Sequence, residues 1–117
     1  MATIALYNMP DQYKNDTFNG VQFTIQNSAG DAIDLTGATV ATKFRKNSKT
    51  GTVVKSITSG SGITVSDPSN GILSYDAFIL DWDYGTYYYD LEVTFASGVV
   101  KTYVYGTINV IQDVTYA

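Results

Sequence analysis

In this sequence the groups able to do chemistry are carboxylates, tyrosines and a few clustered cations. Asp76, Asp81, Asp83 and Asp90 fall close together and are the oxygen-rich candidates for a Ca²⁺ site. The segment Asp81-Trp82-Asp83-Tyr84-Gly85 lacks the following Asp or Asn and the bidentate Glu of an EF-hand loop, so neither metal nor cofactor is expected. Asp83 is instead expected to cap a turn through neighbouring backbone. Two carboxylates held across a groove can hydrolyse glycosides, but no spacing here places a pair that way. There is no His and no Cys. That removes the usual general base, the usual zinc ligand, thiolate chemistry and disulfides. The expectation is a protein that is not an enzyme.

Binding is the remaining chemistry. Tyr84, Tyr87, Tyr88 and Tyr89 cluster, and Tyr103 and Tyr105 lie on the strand expected to return beside them. Tyr87 and Tyr89 belong to the core by alternation. Tyr84, Tyr88, Tyr103 and Tyr105 read either as ordinary cross-strand pairs or as an aromatic surface for a partner. With Trp82 the outward rings could also form a stacking platform for a sugar. Lys43 and Arg45 share one strand face, with Lys46 and Lys49 at the next hairpin. One reading is a solvated edge strand guarded against sheet-to-sheet pairing; the other is a contact with an acidic neighbour. The partner-binding candidates are therefore Lys43, Arg45, Tyr84, Tyr88, Tyr103, Tyr105 and Trp82.

The elements that must position these residues are strands. Residues 83–95 hold the strongest pattern: Tyr87, Tyr89, Leu91, Val93 and Phe95 fall on one face, and Thr86, Tyr88, Asp90, Glu92 and Thr94 on the other. A side-chain period of two with aromatic and β-branched residues marks a strand with one buried face. Asp83-Tyr84-Gly85-Thr86-Tyr87 makes its entry. A Tyr there is expected to bury its ring and to bond backbone at the strand corner with its hydroxyl. Upstream, Val21, Phe23 and Ile25 alternate inward, as do Ala38, Val40, Thr42 and Phe44. Ile33 and Leu35 are expected to be buried in a short extended piece.

Residues 47–51 read as a hairpin loop, 59–62 as a flexible tip, and Asp67-Pro68-Ser69-Asn70-Gly71 as a strong turn. Residues 11–19 read as a loop or weak edge. Residues 76–83 show no period and are expected to lay Phe78, Leu80 and Trp82 over one end. Ala96-Ser97-Gly98 turns into a last pair of runs that Gly106 should kink or bulge. The sum is about seven to nine short strands with frequent turn signals, the pattern of an all-β, antiparallel immunoglobulin-like sandwich. A small closed barrel is the alternative.

A chain of 117 residues suits a single domain, residues 1–117. Its formal net charge of −4 argues against nucleic acid as a partner. No signal peptide and no membrane-spanning run is expected from the start of the sequence.

The order of motifs resembles the N-terminal domain of bacteriophage baseplate upper proteins. The resemblance runs through Phe23-Thr24-Ile25-Gln26-Asn27-Ser28-Ala29-Gly30, Ile33-Asp34-Leu35-Thr36-Gly37-Ala38-Thr39-Val40 and Phe44-Arg45-Lys46. It continues in Asn70-Gly71-Ile72-Leu73-Ser74-Tyr75, in Gly85-Thr86-Tyr87-Tyr88-Tyr89-Asp90-Leu91-Glu92-Val93 and in Gly106-Thr107-Ile108-Asn109-Val110. It implies an immunoglobulin-like domain that docks onto other virion structural proteins, present in many copies, in a particle assembled in the bacterial cytoplasm. It carries over no catalytic residue. Baseplate upper proteins continue into a helical or fibrous half, whereas this sequence ends at Ala117. The expectation is therefore a docking, decorating or adaptor unit on head or tail. The alternative from a different class is a small carbohydrate-binding module for host-surface glycans.

Overall fold

Strict alternation over residues 86–95 does what the period requires. In the computed structural model, which describes residues 5–112, Gly85–Thr94 form one ten-residue strand. Tyr87, Tyr89, Leu91 and Val93 are buried on one face, and Asp90 and Glu92 are exposed on the other. In chain order the strands are β1 (Ala5–Leu6), β2 (Gln12–Tyr13), β3 (Thr17–Phe18), β4 (Val21–Thr24), β5 (Thr39–Lys46) and β6 (Val53–Ser59). They continue with β7 (Gly62–Asp67), β8 (Ile72–Tyr75), β9 (Phe78–Ile79), β10 (Gly85–Thr94) and β11 (Val100–Ile111). The helical content of the described residues is one 3₁₀ turn, Pro68–Asn70. It sits where Pro fixes φ, and Gly71 closes it in the left-handed region, φ 68°.

The strands build one long sheet that curls on itself, in the order β1-β11-β10-β5-β6-β7-β8-β4, while β3 and β9 pair separately. β10 lies between β11 and β5, antiparallel to both. At the β6–β7 corner, residues 59–62 coil the chain so that β7 starts alongside the end of β6 in a short parallel pair. Gly60 and Gly62 have φ of 87° and 99° there, and a β carbon on Gly62 would collide with the Ile57 side chain. The curl brings β4 and β8 across the core from β5 and β10. Tyr75 of β8 meets Phe44, Tyr89 and Phe23 at ring-centroid distances of 6.2, 6.4 and 5.2 Å. The all-β expectation holds, as a curled multi-stranded sheet.

Two expectations need correcting. The sheet is not purely antiparallel: besides the short parallel contact of β6 with β7, β1 and β2 both run parallel to β11 along its outer edge. The intervening chain supplies the long connection that a parallel pair requires. The irregularity in β11 sits at Tyr103 and not at Gly106. Leu91 pairs with Val104 but Glu92 pairs with Thr102, so Tyr103 is the extra residue of a bulge. Residues 76–83, read as a loop or one helical turn, form a loop with the two-residue strand β9, Phe78–Ile79, inside it. They do lay apolar groups inward as expected, with Leu80 0% and Trp82 8% exposed. Of the expected first strand Ala5–Leu6 is seen as β1, and residues 2–4 and 113–114 of the expected terminal strands lie outside the described residues.

Four tyrosines, Tyr75, Tyr87, Tyr89 and Tyr103, lie in the core, and the hydroxyls of the first three bond the chain. Tyr87 Oη donates to the Asp83 carbonyl oxygen at 2.6 Å, the strand-corner bond that the Asp83-x-Gly85-x-Tyr87 spacing predicts. Tyr89 Oη donates to the Tyr7 carbonyl oxygen at 2.6 Å, across 82 positions of sequence. The Tyr75 and Thr42 hydroxyls bond each other inside the core. Burial pushes the Tyr75, Tyr89 and Tyr87 phenols above their ordinary value, so all three stay neutral. No buried side-chain nitrogen or oxygen among the described residues lacks a hydrogen-bond partner.

Tyr87→Phe should therefore destabilise the fold by about 1 kcal/mol, the net worth of one such bond. Tyr87→Ala should cost about 3–5 kcal/mol through lost burial and a cavity. Urea unfolding followed by circular dichroism measures both.

Candidate functional site

Alternation that buries one face of β5, β10 and β11 presents the other to solvent, and cross-strand register arranges it in rows. Arg45, Tyr88 and Thr107 form one row, and Lys43, Asp90, Tyr105 and Leu6 the next. Ala41, Glu92 and Thr102 form a third. Together with Asn8 and Lys49 these residues line a half-open hollow of about 750 Å³.

The hairpin between β5 and β6 makes one wall. Asn47 adopts φ 70°, and its amide donates to the Thr86 carbonyl at 2.9 Å, tying the loop to β10. Arg45 Nη1 donates to the Gly51 carbonyl at 3.0 Å and braces the loop from beneath. Lys49 Nζ then stands 5.4 Å from the centre of the Tyr105 ring, a cation–π distance.

The sequence-derived candidates divide into three groups. Lys43, Arg45, Tyr88 and Tyr105 are brought together in the hollow. β5 lies between β10 and β6, so Lys43 and Arg45 are not on an edge strand, and guarding against sheet pairing does not explain them. Tyr84 is exposed but lies with the corner residues, its ring 5.7 Å from Lys14 Nζ.

Trp82 and Tyr103 leave the surface set. Trp82 is buried against Tyr87, Phe44 and Phe78 at centroid distances of 4.8, 5.1 and 5.8 Å. Tyr103 is 4% exposed and packs edge-on to Phe95, because the bulge turns it to the same side as Val104. Asn8, Asp90, Glu92, Thr102 and Thr107 join this surface without being among the partner-binding candidates of the sequence. The signal for Asp90, Glu92 and Thr102 was available in the β10 alternation paired with Lys43 and Ala41. Asn8 carried none, since its place depends on the parallel pairing of β1.

At the corner, Asp83 bridges two cations that are far apart in sequence. Its Oδ1 lies 3.1 Å from Lys14 Nζ and its Oδ2 3.6 Å from Lys46 Nζ. The Lys14 hydrogen bond and charge, with Lys46 behind them, hold the Asp83 carboxyl below the usual carboxylate value. No group of three or more acidic residues among the described ones gathers to hold a metal ion. Asp76 instead accepts from Thr64 Oγ1 at 2.8 Å.

No protein-family model matches this chain, and no curated protein matches it by sequence.

Two outcomes follow from these contacts. Arg45→Ala should leave global stability within about 1 kcal/mol while speeding hydrogen exchange at the Gly51 and Lys46 amides, which close the loop. Mass-resolved exchange reads this directly. For Asp83, the folded pKa lies below the unfolded one, so its contribution is complete above about pH 4 and drains away as pH falls through the lowered folded value. Thermal melts of wild type and Asp83→Asn should differ at neutral pH and draw together as the pH falls below about 4.

Proposed function

We propose that this chain is a bacteriophage virion structural protein, an immunoglobulin-like docking or adaptor domain held by neighbouring subunits. The observation that carries the reading is the hollow on β5, β10 and β11. It places Lys43, Arg45, Tyr88 and Tyr105 on central strands, where charged and aromatic side chains serve neither the core nor an edge. Tyr and Arg are the residue types that interfaces enrich. The ordered motifs shared with baseplate upper proteins supply the virion context. The immunoglobulin-like assignment draws support from the pairing of β4 with β8 and β5 with β10, and from the Tyr87 corner bond.

The hollow also favours a second reading, a saccharide site. Acceptor carboxylates of Asp90 and Glu92 alternate with donor groups of Lys43 and Arg45 beside two tyrosines, a layout that suits hydroxyl groups acting both ways. Trp82 takes no part in it and, being buried, would not report sugar binding by fluorescence.

Incorporation into particles tests the docking reading. Mass spectrometry of purified virions should find the wild-type chain. The folded double variant Lys43→Glu/Tyr88→Ala should fall at least about tenfold in abundance, as expected when interface anchors are lost. Absence of the wild-type chain from particles, or unchanged incorporation of the variant, would contradict it. Binding on a glycan array that Tyr105→Ala abolishes would favour the saccharide reading instead.

A further inference from the structure

The N-terminal arm, residues 5–13, is attached to the body through a seat shaped for it. The Tyr7 and Met9 amides donate to the Tyr105 and Thr107 carbonyls, both at 2.8 Å. Asn8 Oδ1 accepts from the Thr107 amide and hydroxyl at 3.1 and 3.2 Å, and Asn109 Nδ2 donates to Asp11 Oδ1 at 3.2 Å. Tyr89 reaches out of the core to the Tyr7 carbonyl, and Met9 is 5% exposed. Gly106 completes the seat. A β carbon there would overlap the Tyr7 carbonyl oxygen, and Gly106 is absent from the glycines with positive φ. Its missing side chain thus serves the close approach of the arm and not a turn.

The arm's connection to the body is short. The Asp16 amide donates to the Tyr13 carbonyl at 3.1 Å, closing a reverse turn over Lys14 and Asn15, and Asn15 sits at φ 72°. This left-handed conformation is uncommon outside glycine. The chain is re-anchored at once: Asn15 N bonds the Leu80 carbonyl at 2.7 Å, Leu80 N bonds the Asp16 carbonyl at 3.0 Å, and Phe18 is buried. Straightening one turn would release residues 5–13 and leave the body's own pairings in place.

We propose that the β11 seat also accepts the arm of a second copy of this chain, so that copies exchange residues 5–13 and become linked. An exchanged arm makes the same hydrogen bonds to the same seat. The balance is therefore set by concentration and by the conformation of the Lys14–Asn15 turn, the usual terms of strand exchange. Tight hinges under strain favour the open form. A multi-copy assembly would raise the local concentration. The inference goes beyond the docking reading and does not depend on what fills the hollow.

The absence of cysteine makes the test clean. Leu6 and Tyr105 are register partners. Leu6→Cys chains and Tyr105→Cys chains are mixed at high concentration, oxidised and run on a non-reducing gel, with Leu6→Cys plus Ser97→Cys as the collision control. Exchange predicts a mixed Leu6–Tyr105 disulfide dimer at least about tenfold above the control, because a seated arm has a high effective concentration. Asn15→Val, whose β-branched side chain opposes positive φ, should raise that yield. Gly106→Ala in the Tyr105→Cys chain should return it to the control level. A yield equal to the control in both the parent and Asn15→Val backgrounds, or one that Gly106→Ala leaves untouched, would overturn the proposal.

Discussion

The structure depends on a particular use of tyrosine: the ring goes into the core and the hydroxyl bonds the chain from inside. An apolar core of Leu and Val could fill the same volume, but it could not bond a carbonyl at the rim. Tyr87 and Tyr89 are two residues apart on β10, so alternation sends both inward. Their hydroxyls then reach two different places, the Asp83 corner and the N-terminal arm. Tyr75, from the opposite side of the curled sheet, meets Thr42 between them. A short bond of this kind contributes only about 0.5–1.5 kcal/mol net. Its larger effect is directional, because a ring buried among Phe44, Trp82 and Tyr75 leaves its hydroxyl few places to point.

This arrangement separates the two faces of the central strands. The inward face of β5, β10 and β11 fixes the fold and the outward face is left to chemistry. Arg45 connects the two roles: it stands on the outer face yet holds the Gly51 carbonyl, so the hairpin carrying Lys49 stays over Tyr105. Asp83 does similar work at the corner. Its carbonyl takes the Tyr87 hydroxyl while its exposed carboxylate draws Lys14 and Lys46 together. The hollow and the arm's seat are also neighbours, since Tyr105 pairs with Leu6 and both face the hollow.

Much of this was legible in the residues themselves. Period-two alternation placed Phe23, Ile25, Val40, Phe44, Leu91 and Val93 in the core, and all six are buried, while Val21, Ala38 and Phe95 on the same faces are half-buried at its margin. The Asp83-x-Gly85-x-Tyr87 spacing gave the corner bond because every partner in it is local. What failed depended on distant pairing. A bulge is a mismatch between two strands, so the parity of Tyr103 is invisible along β11 alone. Trp82 lies in a stretch with no period and reads both as a cover over one end and as a surface ring; only the core that β5, β9 and β10 enclose decides for the cover. Whether Lys43 is on an edge is a property of sheet order, which strand patterns do not carry. The parallel course of the arm is set by contacts nearly a hundred residues away.

The central claim is that the β10 hydroxyls act at a distance, holding segments that alternation alone would leave loose. Residue-resolved hydrogen exchange on Tyr89→Phe is the most direct measurement. If the claim is right, the Tyr7 and Met9 amides exchange markedly faster, while those of Leu91 and Val93 within the β10 ladder keep their wild-type protection. Unchanged protection at Tyr7 and Met9, or an equal loss across the whole sheet, would contradict it.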